Sequence, residues 1–281
     1  MLWKDSSGSD NIEDRRGIGG KLLGGGIGAG VIGLIIYLLT GNSSALLDQV
    51  NNPARDGGTF TQEQRASQAE DSAFVSVVLK ETEDVWHQIF NQMGATYEEP
   101  RLVMFNQYVQ SDCGGASSSS GPFYCPLDRR VYIDLSFYNE LKDRFKAPGN
   151  FAMAYVIAHE VGHHVQNLLG KSEKIQQMRK RLNDVEYNRL SVKMELQADF
   201  YAGVWAHYTE KMKGIIEKGD IDEALTAANA IGDDRLQKEA QGYIVPDAFT
   251  HGTSAQRVYW FKKGYETGDI KQGDTFSDPS L

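Results

Sequence analysis

The sequence predicts an α+β fold, mostly helical, with a small sheet and one transmembrane helix ahead of it. Three observations predict it. Apolar residues recur at helical spacing over several long stretches, two short runs read as strands, and an uncharged run extends from Leu22 to Leu39. With 281 residues, 41% of them hydrophobic, the chain can bury one sizeable core but hardly two.

Residues 1–21 are polar and carry Lys4, Arg15, Arg16 and Lys21, while only Arg55 lies soon after the apolar run. That bias makes 1–21 a cytoplasmic tail, 22–39 a transmembrane anchor and the rest extracytoplasmic, in a single-pass protein of the cell membrane. Leu22–Leu39 is at the lower limit of length for a span, and its six glycines weaken it. A cleaved signal peptide, with Ser43 and Ala45 near a cut, is the rival; the long polar lead favours a retained anchor. Residues 40–68 read as a polar linker, broken by Asn51-Asn52-Pro53 and Asp56-Gly57-Gly58. A net charge of −9 without a clustered basic face argues against nucleic acid as a partner. Arg179-Lys180-Arg181, the densest basic run, reads as a solvated helix face.

The folded domain runs over 69–281. Ala69 to Met93 has helical periodicity through Phe74, Val77, Val78, Val85, Trp86, Ile89 and Phe90. Arg101 to Tyr108 reads as a strand, and Val131-Tyr132-Ile133-Asp134-Leu135 alternates as a second. Further helices are expected at about 150–169, 172–217, 221–229 and 253–267, with breaks at Gly170, Gly219, Gly232 and Pro246. Cys113 and Cys125, the only cysteines, bracket a Gly- and Ser-rich loop. In an oxidising compartment they pair, contributing roughly 3 kcal/mol by loop-closure entropy. Zinc ligation by the pair is the alternative, with no second Cys or His pair to complete it.

The chemistry is concentrated in His159-Glu160-Val161-Gly162-His163. Two histidines four apart share one helical face, so both imidazoles can reach a single zinc ion. Glu160 sits about 100° around the helix, where it can act as general base on a water without being a ligand. A catalytic zinc needs a third protein ligand. Gln166 and Leu169 stand where the metzincin pattern requires Gly and His, so the ligand comes from elsewhere. Glu195 is the candidate, with Asp199 four residues on and placed to accept the free ring N–H of a ligating histidine. Asp184, Glu186 and His207 are its rivals. His87, His164 and His207 read as structural histidines.

His159-Glu160-Val161-Gly162-His163 followed by Glu195-Leu196-Gln197-Ala198-Asp199 resembles the gluzincin metallopeptidases, with their HExxH…ExxxD pattern. The surrounding text is similar to the bacterial membrane-anchored putative neutral zinc metallopeptidase family. The likeness runs through Ser9-Asp10-Asn11, Glu13-Asp14-Arg15-Arg16, Gly121-Pro122-Phe123-Tyr124-Cys125-Pro126, Val131 to Tyr138, Asn188 to Val192, Ile231 to Gln237 and Phe249 to Ser254. It covers nearly the whole chain. It implies a zincin-like metallopeptidase domain acting on a peptide or protein substrate. In that clan an edge strand pairs with the substrate backbone, and Val131–Leu135 is the candidate, a plain buried strand being the other reading. His251, Ser254 and Arg257 are spaced as in the H-P-x-[ST]-x-x-R segment of the integral-membrane prenyl-peptide and stress metallopeptidases, with Gly252 in place of Pro. That likeness implies an oxyanion or substrate role for His251 and substrate binding for Arg257; the alternative is that His251 caps the helix beginning near Thr253. The rival to a peptidase is a membrane-anchored binding or scaffold protein with a structural zinc, for which an intact Glu160 has no use.

Overall fold

A computed structural model describes residues 1–16 and 62–281. Among them the fold is α+β and mostly helical. The strands are β1 (Ile12–Asp14), β2 (Arg101–Phe105), β3 (Tyr108–Ser111), β4 (Gly114–Ser117), β5 (Phe123–Cys125) and β6 (Arg130–Asp134). The main helices are α1 (Gln62–Gln92), α2 (Asn150–Leu168), α3 (Lys171–Arg179), α4 (Asp184–Lys213), α5 (Asp220–Ala230), α6 (Asp233–Gln241) and α7 (Ser254–Thr267).

Helix α2 is apolar on every side from Phe151 to Ala158, and all of those residues are buried. A helix of that kind has to be central. It lies between α4 and α5 on one side and α1 and the sheet on the other. Its first turn is capped from outside, because the Phe151 amide donates to the Glu223 carboxylate of α5 at 2.9 Å. Gly162 lets α4 approach: a Cβ there would lie 3.0 Å from the Ala198 carbonyl oxygen. Farther along α4, Gly203 faces the Phe261 backbone and Gly264 of α7 faces the Phe200 backbone, each at a distance no side chain could occupy. Both crossings are therefore set by hydrogen-only positions.

One helix over about 172–217 is expected from periodicity; two are found. The first ends at Arg179 and Asn183 starts the second, accepting from the Glu186 amide at 3.0 Å while Glu186 accepts from the Asn183 amide at 3.1 Å. The sheet has the order β1-β2-β6-β5, with β5 antiparallel and the other pairs parallel. Val131–Leu135, expected as the edge strand that receives substrate, is mostly β6 and lies between β2 and β5. Both of its edges are occupied, so that assignment is corrected. The strand expected over 101–108 stops at Phe105, because Gln107 turns the chain with φ 63° and starts the hairpin of β3 and β4. Cys113 in that hairpin's turn and Cys125 in β5 form the expected disulfide.

The amino-terminal residues correct the expected localisation. β1 pairs with β2 from Ile12↔Leu102 to Asp14↔Met104, and Trp3 packs edge-on against Phe74 of α1 at 5.4 Å. Ser9 donates to Glu83 of the same helix at 2.5 Å. Paired strands lie about 4.8 Å apart, whereas a bilayer core is about 30 Å thick. The tail assigned to the cytoplasm and the domain assigned to the far side thus share one sheet. No helix of the described residues is long and apolar enough to cross a membrane. The predicted anchor, 22–39, lies outside the described residues, as does the linker up to residue 61.

Candidate metal centre

His159 and His163 rise one turn apart on α2, and Glu195 comes to them from α4 across the Gly162 contact. One donor atom from each lies within 4.8 Å of the others. Glu195 faces both rings, at 3.1 Å from His159 Nε2 and 3.4 Å from His163 Nε2. Two imidazoles and a carboxylate converging on one point are a donor set suited to zinc, with a position left for water.

The hydrogen bonds on the far side of each ring settle which nitrogen faces the centre. His159 Nδ1 lies 2.8 Å from Asp199 Oδ1, and a carboxylate only accepts, so Nδ1 carries the proton. His163 Nδ1 lies 2.9 Å from Gln166 Oε1. The Gln166 amide is orientated by its own donation to the Met194 carbonyl at 2.7 Å, which leaves its oxygen for His163. Both Nε2 atoms are thereby free for a metal. In the metal-free protein burial opposes charge on His159, but Asp199 and then Glu195 overcome it and raise its pKa to about 10. A metal ion takes the place of that proton.

Asp199 is fully buried and does more than hold one ring. It accepts from Tyr155 Oη at 2.5 Å, from Arg257 Nε at 2.9 Å and from Arg257 Nη2 at 3.0 Å. Burial alone would raise its pKa; the Arg257 and His159 charges prevail and lower it to about 2. Arg257, expected to touch substrate, is only 3% exposed and is turned inward onto Asp199, Tyr155 and the Ile231 carbonyl. Its place in the site is to neutralise Asp199.

Glu160, one residue from the first ligand, stands outside the donor group. Burial raises its pKa, partly offset by His159 and His163. His251 is held by Asp233 at the first turn of α6. Asp233 Oδ2 accepts the amides of Thr250, His251 and Gly252 at 2.7, 2.6 and 3.0 Å, and Oδ1 lies 3.1 Å from His251 Nδ1. Burial disfavours the imidazolium, yet Asp233 and then Glu195 raise its pKa. The cap of α7 is Thr253, paired with Gln256, so His251 is not needed for that task.

None of the rival ligands joins the group. Asp184 pairs with Arg179, Glu186 belongs to the α4 cap, and His207 Nδ1 donates to the Tyr265 carbonyl at 2.8 Å. His87 sits against Glu99 at 2.8 Å on the surface. His164, wholly buried, donates from Nε2 to the Glu98 carbonyl at 2.6 Å and accepts from Tyr124 at 3.0 Å. Tyr155, Gln166 and Asp233 are the participants that residue-by-residue reading misses. Tyr155 and Gln166 stand four before His159 and three after His163, on the ligand face, and that spacing was the available signal.

A family model described as putative neutral zinc metallopeptidase matches residues 1–276. The uncharacterized protein YpfJ of Escherichia coli (strain K12) is 49% identical over 98% of this chain and 99% of its own length. Uncharacterized proteins Rv2575 of Mycobacterium tuberculosis (strain ATCC 25618 / H37Rv) and Mb2605 of Mycobacterium bovis are each 45% identical over 66% of this chain and 65% of theirs. No solved structure matches. The family match takes in β1, the donor group on α2 and α4, and His251 with its Asp233 clasp, and the chain belongs to the putative neutral zinc metallopeptidase family.

Proposed function

We propose that this protein is a zinc-dependent metalloendopeptidase. The observation that carries the reading is the convergence of His159, His163 and Glu195 within 4.8 Å, with Glu160 on the same helix as the two histidines. Zinc, when bound there, supplies Lewis acidity to the scissile carbonyl and acidifies a water. Glu160 takes the proton of the attacking water and returns it to the leaving amine. His251, whose protonated form Asp233 favours, would donate toward the oxygen on which negative charge develops. An extended peptide substrate would add to the outer edge of β5, against which no described strand pairs. Tyr124 of that strand is tied to α2 through His164 and Asn167, both at 3.0 Å, which fixes the strand's height over the helix.

Two variants test the reading. Glu160→Gln should retain one zinc per chain while hydrolysis of an unstructured protein substrate falls by about 10²- to 10⁴-fold. Glu195→Ala should lose the metal. Wild-type turnover by Glu160→Gln would remove the general base and leave a zinc-binding protein without this catalysis. Full zinc occupancy in Glu195→Ala would remove the third ligand.

A further inference from the structure

Gln166 belongs to neither sequence motif, yet it is completely buried and both ends of its amide are used. Its oxygen accepts from His163 Nδ1 at 2.9 Å. Its nitrogen donates to the carbonyl of Met194, the residue just before Glu195, at 2.7 Å. The same nitrogen lies 3.3 Å from Gln197 Oε1, and Gln197 in turn donates to the Gly273 carbonyl at 2.6 Å. One neutral side chain therefore spans from the second histidine of α2 to the backbone that carries the carboxylate ligand of α4.

We propose that Gln166 is a metal-affinity determinant: a positioning residue that sets the His163 tautomer and locks it to the helical backbone presenting Glu195. The inference rests on the zinc reading above and deepens it. Its logic is one of donors and acceptors. The Met194 carbonyl can only accept, so the amide nitrogen must face it, and the amide oxygen must face His163. His163 must then carry its proton on Nδ1, with Nε2 left for the metal. Neither a carboxylate nor an apolar chain of the same length satisfies both contacts. A carboxylate would set one oxygen against the Met194 carbonyl, and an apolar chain would leave the His163 imidazole N–H without a partner. Outer partners of this kind typically change metal affinity by about 10- to 100-fold.

The test uses zinc competition titration of the full chain, wild type against Gln166→Met and Gln166→Glu, with the cobalt-substituted absorption spectrum and the melting temperature of the metal-free protein alongside. Gln166→Met should bind zinc at least about 10-fold more weakly and shift the cobalt spectrum. Gln166→Glu should fall between it and wild type, since it keeps an acceptor for His163. A purely structural glutamine predicts a lower melting temperature with zinc affinity and cobalt spectrum unchanged, and that result overturns the inference. So does equal weakening in both variants. Should Gln166→Met fail to fold, nitrogen NMR of the cadmium-loaded wild type decides: metal coupling to His163 Nε2 supports the inference, and coupling to Nδ1 overturns it. Wild type that takes up no metal is a different failure, that of the zinc reading itself.

Discussion

The two candidate histidine ligands are one turn apart on the same helix, and the protein holds them by opposite means. His159 is backed by charge: Asp199, itself neutralised by Arg257 and bonded to Tyr155, with every member buried. His163 is backed by a neutral amide that ends on a backbone carbonyl, and its neighbour His164 is likewise held by a carbonyl and a phenol. The difference follows from what each side packs against. Toward α7 the helix meets Arg257, whose cation has to be matched. Toward Met194 and the sheet it meets backbone and tyrosine, where a second charge would stand unpaired at a cost of several kcal/mol. The comparison teaches that one ligand is tuned electrostatically and the other by shape and tautomer.

The largest expected break comes at Asp199. Asp199→Asn removes the charge that raises His159 basicity and also strands Arg257, 3% exposed, without its counterion. Urea unfolding of the metal-free variant should show a loss of about 3–5 kcal/mol, and zinc affinity should fall by about 10- to 100-fold or more. The ExxxD spacing by itself predicts only the second of these. Unchanged stability would mean that Arg257 finds another partner and that the charged arm is not a unit. Arg257→Met in the Asp199→Asn background sharpens this point. The double variant should be less destabilised than the two single losses added, by about 1–3 kcal/mol, because the two charges are costly chiefly when separated. Strict additivity would dissolve the pair.

A smaller effect is expected at Asp233, which backs His251 as Asp199 backs His159. Asp233→Asn can still accept from the three backbone amides with its oxygen, but it no longer brings a negative charge against His251. Peptide hydrolysis should drop by about 10-fold or more through kcat, with zinc content unchanged. Lost zinc would place Asp233 on the metal's side of the comparison; an unaltered rate would remove His251 from catalysis.

How much of this was legible follows the same division. HExxH and ExxxD are helical spacings, so His159, Glu160, His163, Glu195 and Asp199 and their shared faces could be read from the sequence. Gln166 could be placed on the ligand face by its spacing from His163, but the task of its amide could not be read without its two partners. Asp233 acts through loop amides, which leave no periodicity. Arg257 was found for its position in H-x-x-S-x-x-R and given the wrong direction: spacing locates a side chain on a helix and does not say which side is buried. β1 is three residues long and pairs with residues ninety positions away, so no local signal marks it, and the charge bias around 22–39 takes no account of it. Val131–Leu135 was correctly a strand, but alternation does not reveal which strands have free edges.

The smallest prediction concerns acid, to which the two arms should respond with opposite signs in the metal-free protein. His159, raised to about 10 against burial by Asp199, contributes stability that is fully present below the unfolded pKa of about 6.5 and is lost as pH rises toward 10. His164 does the reverse. Burial lowers its pKa to about 4, so its neutral form is favoured in the fold, and its contribution is present above about 6.5 and lost as pH falls toward 4. Between about pH 7.5 and 5.5 that loss amounts to about 1 kcal/mol. His164→Gln remains neutral throughout and should be less stable overall, since glutamine cannot reproduce both the Glu98 and the Tyr124 contacts. Its unfolding free energy should nevertheless fall less than wild type's over the same interval, or rise. Urea titrations at the two pH values give both slopes. Parallel slopes would show that folding leaves the His164 pKa unshifted, and the neutral arm would then extend no farther than Gln166.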